Sequence, residues 1–369
     1  MISRTPNHRI SEVLYRLNTG APLDEDLLGE AFELILTNPH VKARDTQLGA
    51  FLTGLMVRKP TAREIIVLIR TALNIDGLKR FRPTLPSGEL LVSVAGSGKK
   101  GLKTFNISTA ACFVASAGGT YIAKPGSSAT SSVSGSKDFI HALGAVLLDT
   151  PEMVEVMLET KLGIFPIENQ IPQFDAVYGG KIFGPTPLSF GLPAIVNPIA
   201  CDALYYGLAH PNVDLAQASL LGLGFKDVMI VTSTADGIHY IDELSTLSQN
   251  TVGSIIDGEV LPLDQNVVAS LKLLTSETLG LVAKDSLFEN VQYVLRVLKG
   301  ESPDEAISTV ALNAAGILFL AQKVNTFADG YKLSVEIIQS GAAFEQLCRF
   351  VLATGGTTKT ILNLMGDRS

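Results

Sequence analysis

Lysines, glycines and hydroxyl side chains crowd two short stretches of this chain, and these are residue types that hold phosphate. The first stretch is Gly96-Ser97-Gly98-Lys99-Lys100-Gly101, followed by Lys103 and by Thr104-Phe105-Asn106-Ile107-Ser108-Thr109. The second is Lys124-Pro125-Gly126 with a hydroxyl-dense run from Ser127 to Ser136. Glycine lets backbone N–H groups approach an anion, a helix N-terminus adds the positive end of its dipole, and lysine adds charge. Two such turns in succession, with Lys99, Lys100, Lys103 and Lys124 near them, point to a ligand with more than one phosphate. The adjacent acids Asp242-Glu243 add a further chemistry. Mg²⁺ takes one or two carboxylates and completes its shell with water and phosphate oxygens, so this pair is a candidate metal site. The plainer alternatives are a solvated turn for the acids and an exposed loop lysine for Lys124. The histidines His8, His40, His141, His210 and His239 are scattered, and His239 alone lies close to Asp242.

Hydrophobic periodicity supplies the elements that must position these groups. Leu90 to Ala95 reads as an apolar strand running into the first turn, and Thr104 to Thr109 opens a small-residue helix. A second apolar strand ends in Ala123-Lys124-Pro125-Gly126, and a helix follows the serine loop. Asp227 to Thr232 is a buried strand, and a polar loop from Thr234 to Tyr240 leads to Asp242-Glu243. That order sets the acids at a carboxyl-edge crevice of a sheet, where ligands of α/β proteins bind. Thr150-Pro151-Glu152 starts a helix with proline in its first turn, and Val213 to Leu221 is helical. From Ser286 onward helices dominate, one starting at Ser302-Pro303-Asp304-Glu305 and another ending near Gly341. Ahead of the first strand, Ile10 to Ile75 is helical, with stripes at Ile10, Val13, Leu14 and Leu17 and at Leu27, Leu28, Ala31, Phe32 and Ile35. Thr61-Ala62-Arg63-Glu64 is a capping box. Lys79 to Ser87 reads as a linker. Gly163 to Pro198 reads as irregular, broken by Pro166, Pro172, Pro185, Pro187 and Pro193. The expected class is α/β: a small N-terminal helical domain over residues 1–80, and a large α/β domain over 88–369 with a mainly parallel central sheet.

Composition bounds the rest. The 369 residues are 46% hydrophobic and 18% charged with a mean hydropathy of +0.30, which fits a globule with a large core. The longest apolar run, Val310 to Ala321, is too short to span a bilayer and contains Asn313. No apolar leader core opens the chain, so the expected location is the cytoplasm. Cys112, Cys201 and Cys348 are widely spaced and form no CxxC pair, as expected of reduced core thiols. A net charge of −7 argues against general nucleic-acid binding.

Gly96-Ser97-Gly98 through Thr104-Phe105-Asn106-Ile107-Ser108-Thr109-Ala110, then Lys124-x-Gly126, then Ser131-Ser132-x-Ser134-Gly135-Ser136-x-Asp138, resemble the motifs of the anthranilate phosphoribosyltransferase family. The similarity runs over nearly the whole chain. The resemblance implies displacement of pyrophosphate from phosphoribosyl pyrophosphate at the anomeric carbon, with Mg²⁺, backbone donors and lysine stabilising an anionic leaving group. It implies a donor site of Gly96, Ser97, Gly98, Thr104, Asn106, Ser108, Thr109, Lys124 and Ser136. In it Asn106, Ser108 and Thr109 hold phosphate or ribose, Lys124 offsets pyrophosphate charge, and Ser136 closes the site. Asp242, Glu243 and Ser108 would hold the metal. Part of 163–198 would return to the helical domain and close over the acceptor. A homodimer through the N-terminal helices is also implied, and Leu27, Leu28, Phe51, Leu55 and Met56 exceed what one small module needs.

This chain departs from the family where the chemistry is decided. Lys99-Lys100 stand where the family has Gly-Asp, and Lys124-Pro125-Gly126-Ser127-Ser128 where it has Lys-His-Gly-Asn-Arg. A family histidine falls near Gln170, and an arginine that grips the anthranilate carboxylate falls near Gly180, with Lys181 adjacent. Lysine does not reproduce a bidentate guanidinium clamp. The expectation is therefore a Mg²⁺-dependent phosphoribosyltransferase acting on a small acceptor other than anthranilate, with Gln170 and Lys181 at the acceptor site. Anthranilate itself, nucleoside phosphorolysis as in thymidine phosphorylase, and ligand binding without catalysis are the alternatives.

Overall fold

Five short apolar segments form the parallel part of one sheet in the computed structural model, which describes residues 6–129, 133–275 and 278–366. They are β1 (Leu91–Gly96), β2 (Tyr121–Gly126), β3 (Leu162–Pro166), β4 (Ala203–Gly207) and β5 (Val228–Thr234). Each is buried along nearly its whole length, as strands covered on both faces must be. Antiparallel strands complete one edge: β6 (Tyr240–Ile241), β7 (Gln249–Ile256) and β8 (Glu259–Val260). The order is β3-β2-β1-β4-β5-β7-β8, with β6 beside β5. Gly96 pairs with Gly207, so β1 and β4 finish level and their following turns share one edge.

Helices α1 (Pro6–Thr19), α2 (Glu25–Leu36), α3 (Val41–Arg58) and α4 (Ala62–Asp76) precede the sheet. Thr61 accepts the Glu64 N–H while the Glu64 side chain accepts the Thr61 N–H, the reciprocal cap expected there. After β1 come α5 (Ile107–Ala117), α6 (Ser136–Ala142), α7 (Thr150–Thr160) and α8 (Pro172–Tyr178). The sheet separates two apolar cores. One contains α5, α7 and the C-terminal helices, and the other joins α1–α4 to α8 and the 188–196 segment. Leu28, Phe51 and Leu55 are fully buried inside this second core. They are therefore consumed within the chain, and the surplus of apolar residues that suggested a dimer surface is absent at those positions.

The segment 163–198 is more regular than its prolines suggest. Pro172, Pro187 and Pro193 stand in the first turns of α8, of a 3₁₀ turn at Pro187–Phe190 and of the short helix Leu192–Ile195. Proline lacks only an N–H that a first helical turn leaves unpaired, so here it starts helices as readily as it breaks them. The Asp76 carboxylate, at the end of α4, accepts the N–H groups of Gln173 and Phe174 at 2.8 and 2.9 Å. It caps α8 from a neighbouring helix and ties it to the N-terminal module. No described helix is long and apolar enough to cross a membrane.

Candidate active site

Two clefts meet at the carboxyl edge of β1. The polar one, about 150 Å³, is lined by Lys99, Lys100, Lys103, Lys124, the first turn of α5, Ser127, Ser128, Ser134 to Ser136 and the acid pair. The other, about 160 Å³, is largely apolar, with Ile171, Phe174, Tyr178, Leu188 and Val196 among its walls. Gly96, Gly98, Lys99, Pro125 and Ser127 line both, so the clefts are continuous.

The first turn is built around Asp242. The Gly98 N–H donates to Asp242 Oδ2 at 2.9 Å, and Gly98 has φ +62°, which glycine adopts without strain. A Cβ at Gly96 would lie 2.5 Å from the same oxygen, so only glycine lets the acid come this close. Asp242 and Glu243 follow β6 and are buried. Leu244, next in the chain, is fixed by Asn313 on the helix Asp304–Leu320: Asn313 Oδ1 accepts the Leu244 N–H at 3.0 Å, and Asn313 Nδ2 donates to the Leu244 carbonyl at 2.8 Å.

Lys100 reaches into this acid pair. Its Nζ lies 2.5 Å from Glu243 Oε1, 3.2 Å from Asp242 Oδ1 and 2.8 Å from Thr104 Oγ1. Burial disfavours the Lys100 charge, but Asp242 and Glu243 outweigh it and hold the ammonium above the ordinary lysine range. Burial also opposes ionisation at Asp242, yet Lys100 and the Gly98 N–H keep its carboxyl below the usual range. Burial, with the neighbouring Asp242 charge, pushes Glu243 up. Asp242 Oδ1 and Glu243 Oε2 are buried and make no hydrogen bond, which leaves the Lys100 ammonium to offset the charge of the pair. With a lysine ammonium against both carboxylates, the residues present do not fit a divalent ion there.

Lys124 is buried at the end of β2 and donates to Ser108 Oγ at 3.3 Å. Ser108 and Thr109 lie in the first turn of α5, whose N-cap Asn106 makes no side-chain cap bond. Their N–H groups, which have no intrahelical acceptor, are the donors available to an anion. Asn106 instead braces the wall: its Nδ2 donates to the Ser134 carbonyl at 3.2 Å, and its Oδ1 accepts from Asn290 Nδ2 at 2.6 Å. Thr104 lines the polar cleft and is bound to Lys100, and Ser136 opens α6 beside it. Ser97 supports the turn, its Oγ accepting the Ala209 N–H at 2.8 Å. Ser131 and Ser132 lie outside the described residues.

Lys99 stands at the junction of the clefts. Its Nζ donates to the Tyr178 hydroxyl at 2.5 Å and lies 4.4 Å from the centre of that ring. Burial lowers its pKa to about 8 and raises that of Tyr178 to about 12. Tyr178 also stacks on Phe174 and bonds Thr186 Oγ1 at 2.8 Å. Gln170 and Lys181, expected at the acceptor site, are not among the cleft-lining residues. Gln170 donates to Thr150 Oγ1 at 3.0 Å, and Lys181 pairs with Asp45 of α3 at 3.1 Å. The helix α8 stops at Tyr178, and the Gly179-Gly180 turn carries Lys181 outward. His239 pairs with Asp236 at 2.6 Å on an exposed loop and lines neither cleft. Asn290 and Tyr178 carried no sequence signal of their own, because each acts through a partner distant in the chain.

A sheet edge with an anion cleft opening into an apolar one is the layout of an enzyme that moves a phosphorylated group onto a small acceptor, a glycosyltransferase of the phosphoribosyl-transferring kind. Residues 88–344 match the model of the glycosyl transferase family a/b domain, and the chain belongs to that family. It is 29% identical over 349 residues to the anthranilate phosphoribosyltransferase of Acetivibrio thermocellus, covering 93% of this chain and 96% of the relative. The crystal structure of the anthranilate phosphoribosyltransferase of Thermus thermophilus superposes with a TM-score of 0.75 at 25% identity, over 93% of this chain and 99% of that one. The Saccharomyces cerevisiae anthranilate phosphoribosyltransferase in complex with PRPP and Mg shares the fold, with a TM-score of 0.73 at 20% identity over 94% and 98% of the two chains. The chain is a phosphoribosyltransferase.

Proposed function

We propose that this enzyme transfers the phosphoribosyl group of phosphoribosyl pyrophosphate to a small aromatic carboxylate of the anthranilate type. The observation that carries this reading is the half-buried Lys99 ammonium where the apolar cleft opens into the lysine-lined one. The expectation of a different acceptor rested on the missing arginine near Gly180. A cation reaching the cleft from the first turn removes that objection, and the relatives named above favour anthranilate over an unrelated acceptor.

On this reading the pyrophosphate lies against Lys103, Lys124 and the first-turn N–H groups of α5, which stabilise the negative charge that grows on it as it leaves. The acceptor ring lies between Phe174, Tyr178 and Leu188, its carboxylate toward Lys99 and its amine toward the anomeric carbon. A nitrogen–carbon bond forms as the carbon–oxygen bond to pyrophosphate breaks, and the amine gives up a proton. Glu168 and Asp175 are the carboxylates lining that cleft. The apolar walls keep water from competing for the same carbon. Magnesium at Asp242 and Glu243, expected from the sequence, enters no step, because Lys100 already sits against both acids.

The test is loss of anthranilate fluorescence with phosphoribosyl pyrophosphate. The expected result is turnover that falls when Lys124 becomes Ala. Donor binding without turnover of anthranilate would return the acceptor to another class. Release of base from nucleosides in phosphate alone would make the enzyme a phosphorylase.

A further inference from the structure

We infer that Lys100 is the resident cation of the Asp242–Glu243 pair, so that this acid pair takes no divalent ion and donor binding does not depend on one held by the protein. The inference deepens the reading of the polar cleft as a phosphoribosyl pyrophosphate site and rests on it.

The geometry carries the argument. An ammonium has three N–H donors and no acceptor. Lys100 uses two of them, on Glu243 Oε1 at 2.5 Å and Thr104 Oγ1 at 2.8 Å, and lies in ion-pair range of Asp242 Oδ1 at 3.2 Å. The Lys100, Asp242 and Glu243 side chains are only 18%, 5% and 2% exposed, so water does little to screen the group. The backbone on either side is pinned, with the Gly98 N–H on Asp242 and the Gly101 N–H on the Tyr240 carbonyl at 2.8 Å. The Lys100 carbonyl accepts from Lys103 Nζ at 3.0 Å. The Lys100 backbone is therefore fixed beneath the acid pair, and its Nζ is held there by Glu243 and Thr104. A divalent ion bound to the same oxygens would sit beside a buried ammonium with little solvent between them, and like charges at that range repel strongly.

The consequence for the ligand follows from charge. Two buried carboxylates at the edge of a phosphate cleft would repel pyrophosphate. A covalently attached ammonium offsets them, which is what a bound divalent ion would otherwise do, and leaves Lys103 and Lys124 to act on the anion.

The deciding measurement is direct ion binding, read without substrate. Mn²⁺ is titrated into the wild-type protein and followed by its electron paramagnetic resonance signal. Binding weaker than about 1 mM is expected, and binding tighter than that, abolished by Asp242→Asn, would overturn the inference. Lys100→Gln, which keeps the bulk of the side chain, should tighten Mn²⁺ binding by at least about tenfold. A folded Lys100→Gln protein with no gain would mean that Lys100 is not what keeps the ion out. If that variant does not fold, the wild-type titration still decides. Calorimetry of phosphoribosyl pyrophosphate in excess chelator, against the same titration in Mg²⁺, tests the second half. Affinities within about tenfold of each other support it, and a larger loss in chelator overturns it. No donor binding in either buffer would defeat the donor reading and not the cation assignment, which the Mn²⁺ titration judges alone.

Discussion

Lys99 holds a left-handed backbone, φ +57°, at the position where the family has glycine. For a residue with a side chain that conformation costs about 1–2 kcal/mol. Strain kept at the mouth of a cleft points to a task for the side chain. Lys99→Met keeps the length and removes the charge. If the ammonium grips the acceptor carboxylate, the acceptor KM should rise by about ten- to a hundredfold, the scale of a hydrogen bond to a charged group, while donor affinity changes far less. Equal effects on both substrates would deny Lys99 this role. The same residue sets a pH profile. The ammonium binds the carboxylate only while protonated, so kcat/KM for the acceptor should fall as pH rises through about 8. Because folding lowers this pKa, the unfolded chain holds the proton more tightly and stability itself rises with pH above that value. A fall in kcat/KM there is therefore not unfolding, and Lys99→Met should flatten it. The phosphate turns, Lys124 and the acid pair were all legible in the chain. The work of Lys99 and Lys100 was not, because their partners Tyr178 and Glu243 lie 79 and 143 residues away. Lys181 misled for the opposite reason: nearness in sequence to a functional position says nothing about which way a glycine turn sends the next side chain.

Among the elements, α8 links the N-terminal helices to the acceptor wall, and its N-terminus depends on Asp76. Asp76→Ala removes the acceptor for two orphan N–H groups and should cost about 1 kcal/mol of stability. It should also raise the acceptor KM by loosening Phe174 and Tyr178, with donor affinity unchanged. Asp76→Asn, whose carbonyl oxygen can still accept, should restore most of both. A stability loss with unaltered acceptor KM would make the cap purely structural. Strands β1, β2 and β5, α5 and the four N-terminal helices were readable from periodicity and caps, because each buries a continuous face. The 163–198 segment was not, since proline opens a helix or ends one by the same chemistry and only the surrounding packing distinguishes them. β7 escaped notice because it alternates in burial beside an otherwise wholly buried sheet.

Over the whole molecule, the clefts lie where turns from both cores meet, so ligand and fold are coupled. Phosphoribosyl pyrophosphate at a hundred to a thousand times its Kd should stabilise the protein by about 3–4 kcal/mol, visible as a shift in Tm. No shift at millimolar donor would remove it as a ligand. The two-sided architecture was legible from alternating strands and helices. The seam between the cores was not, because it is closed by single side chains from distant segments, such as Asn197, which bonds Ser93 Oγ at 2.9 Å and the Ala123 carbonyl at 3.0 Å.

The Asn313 brace on Leu244 bears on time as well as place. An amide that donates to a buried side chain can exchange its hydrogen with solvent only when that packing comes apart, and local opening does not reach it. The Leu244 N–H should therefore be among the slowest to exchange in deuterated buffer, at a rate set by unfolding of the whole domain, while amides of the exposed 235–239 loop exchange within the dead time. Asn313→Ala should speed exchange of the Leu244 N–H, which stays buried and so remains slower than that loop. The acid pair then sits on the most persistent part of the molecule, close to its most transient, and substrate can rearrange the loop without the charges beneath it ever moving.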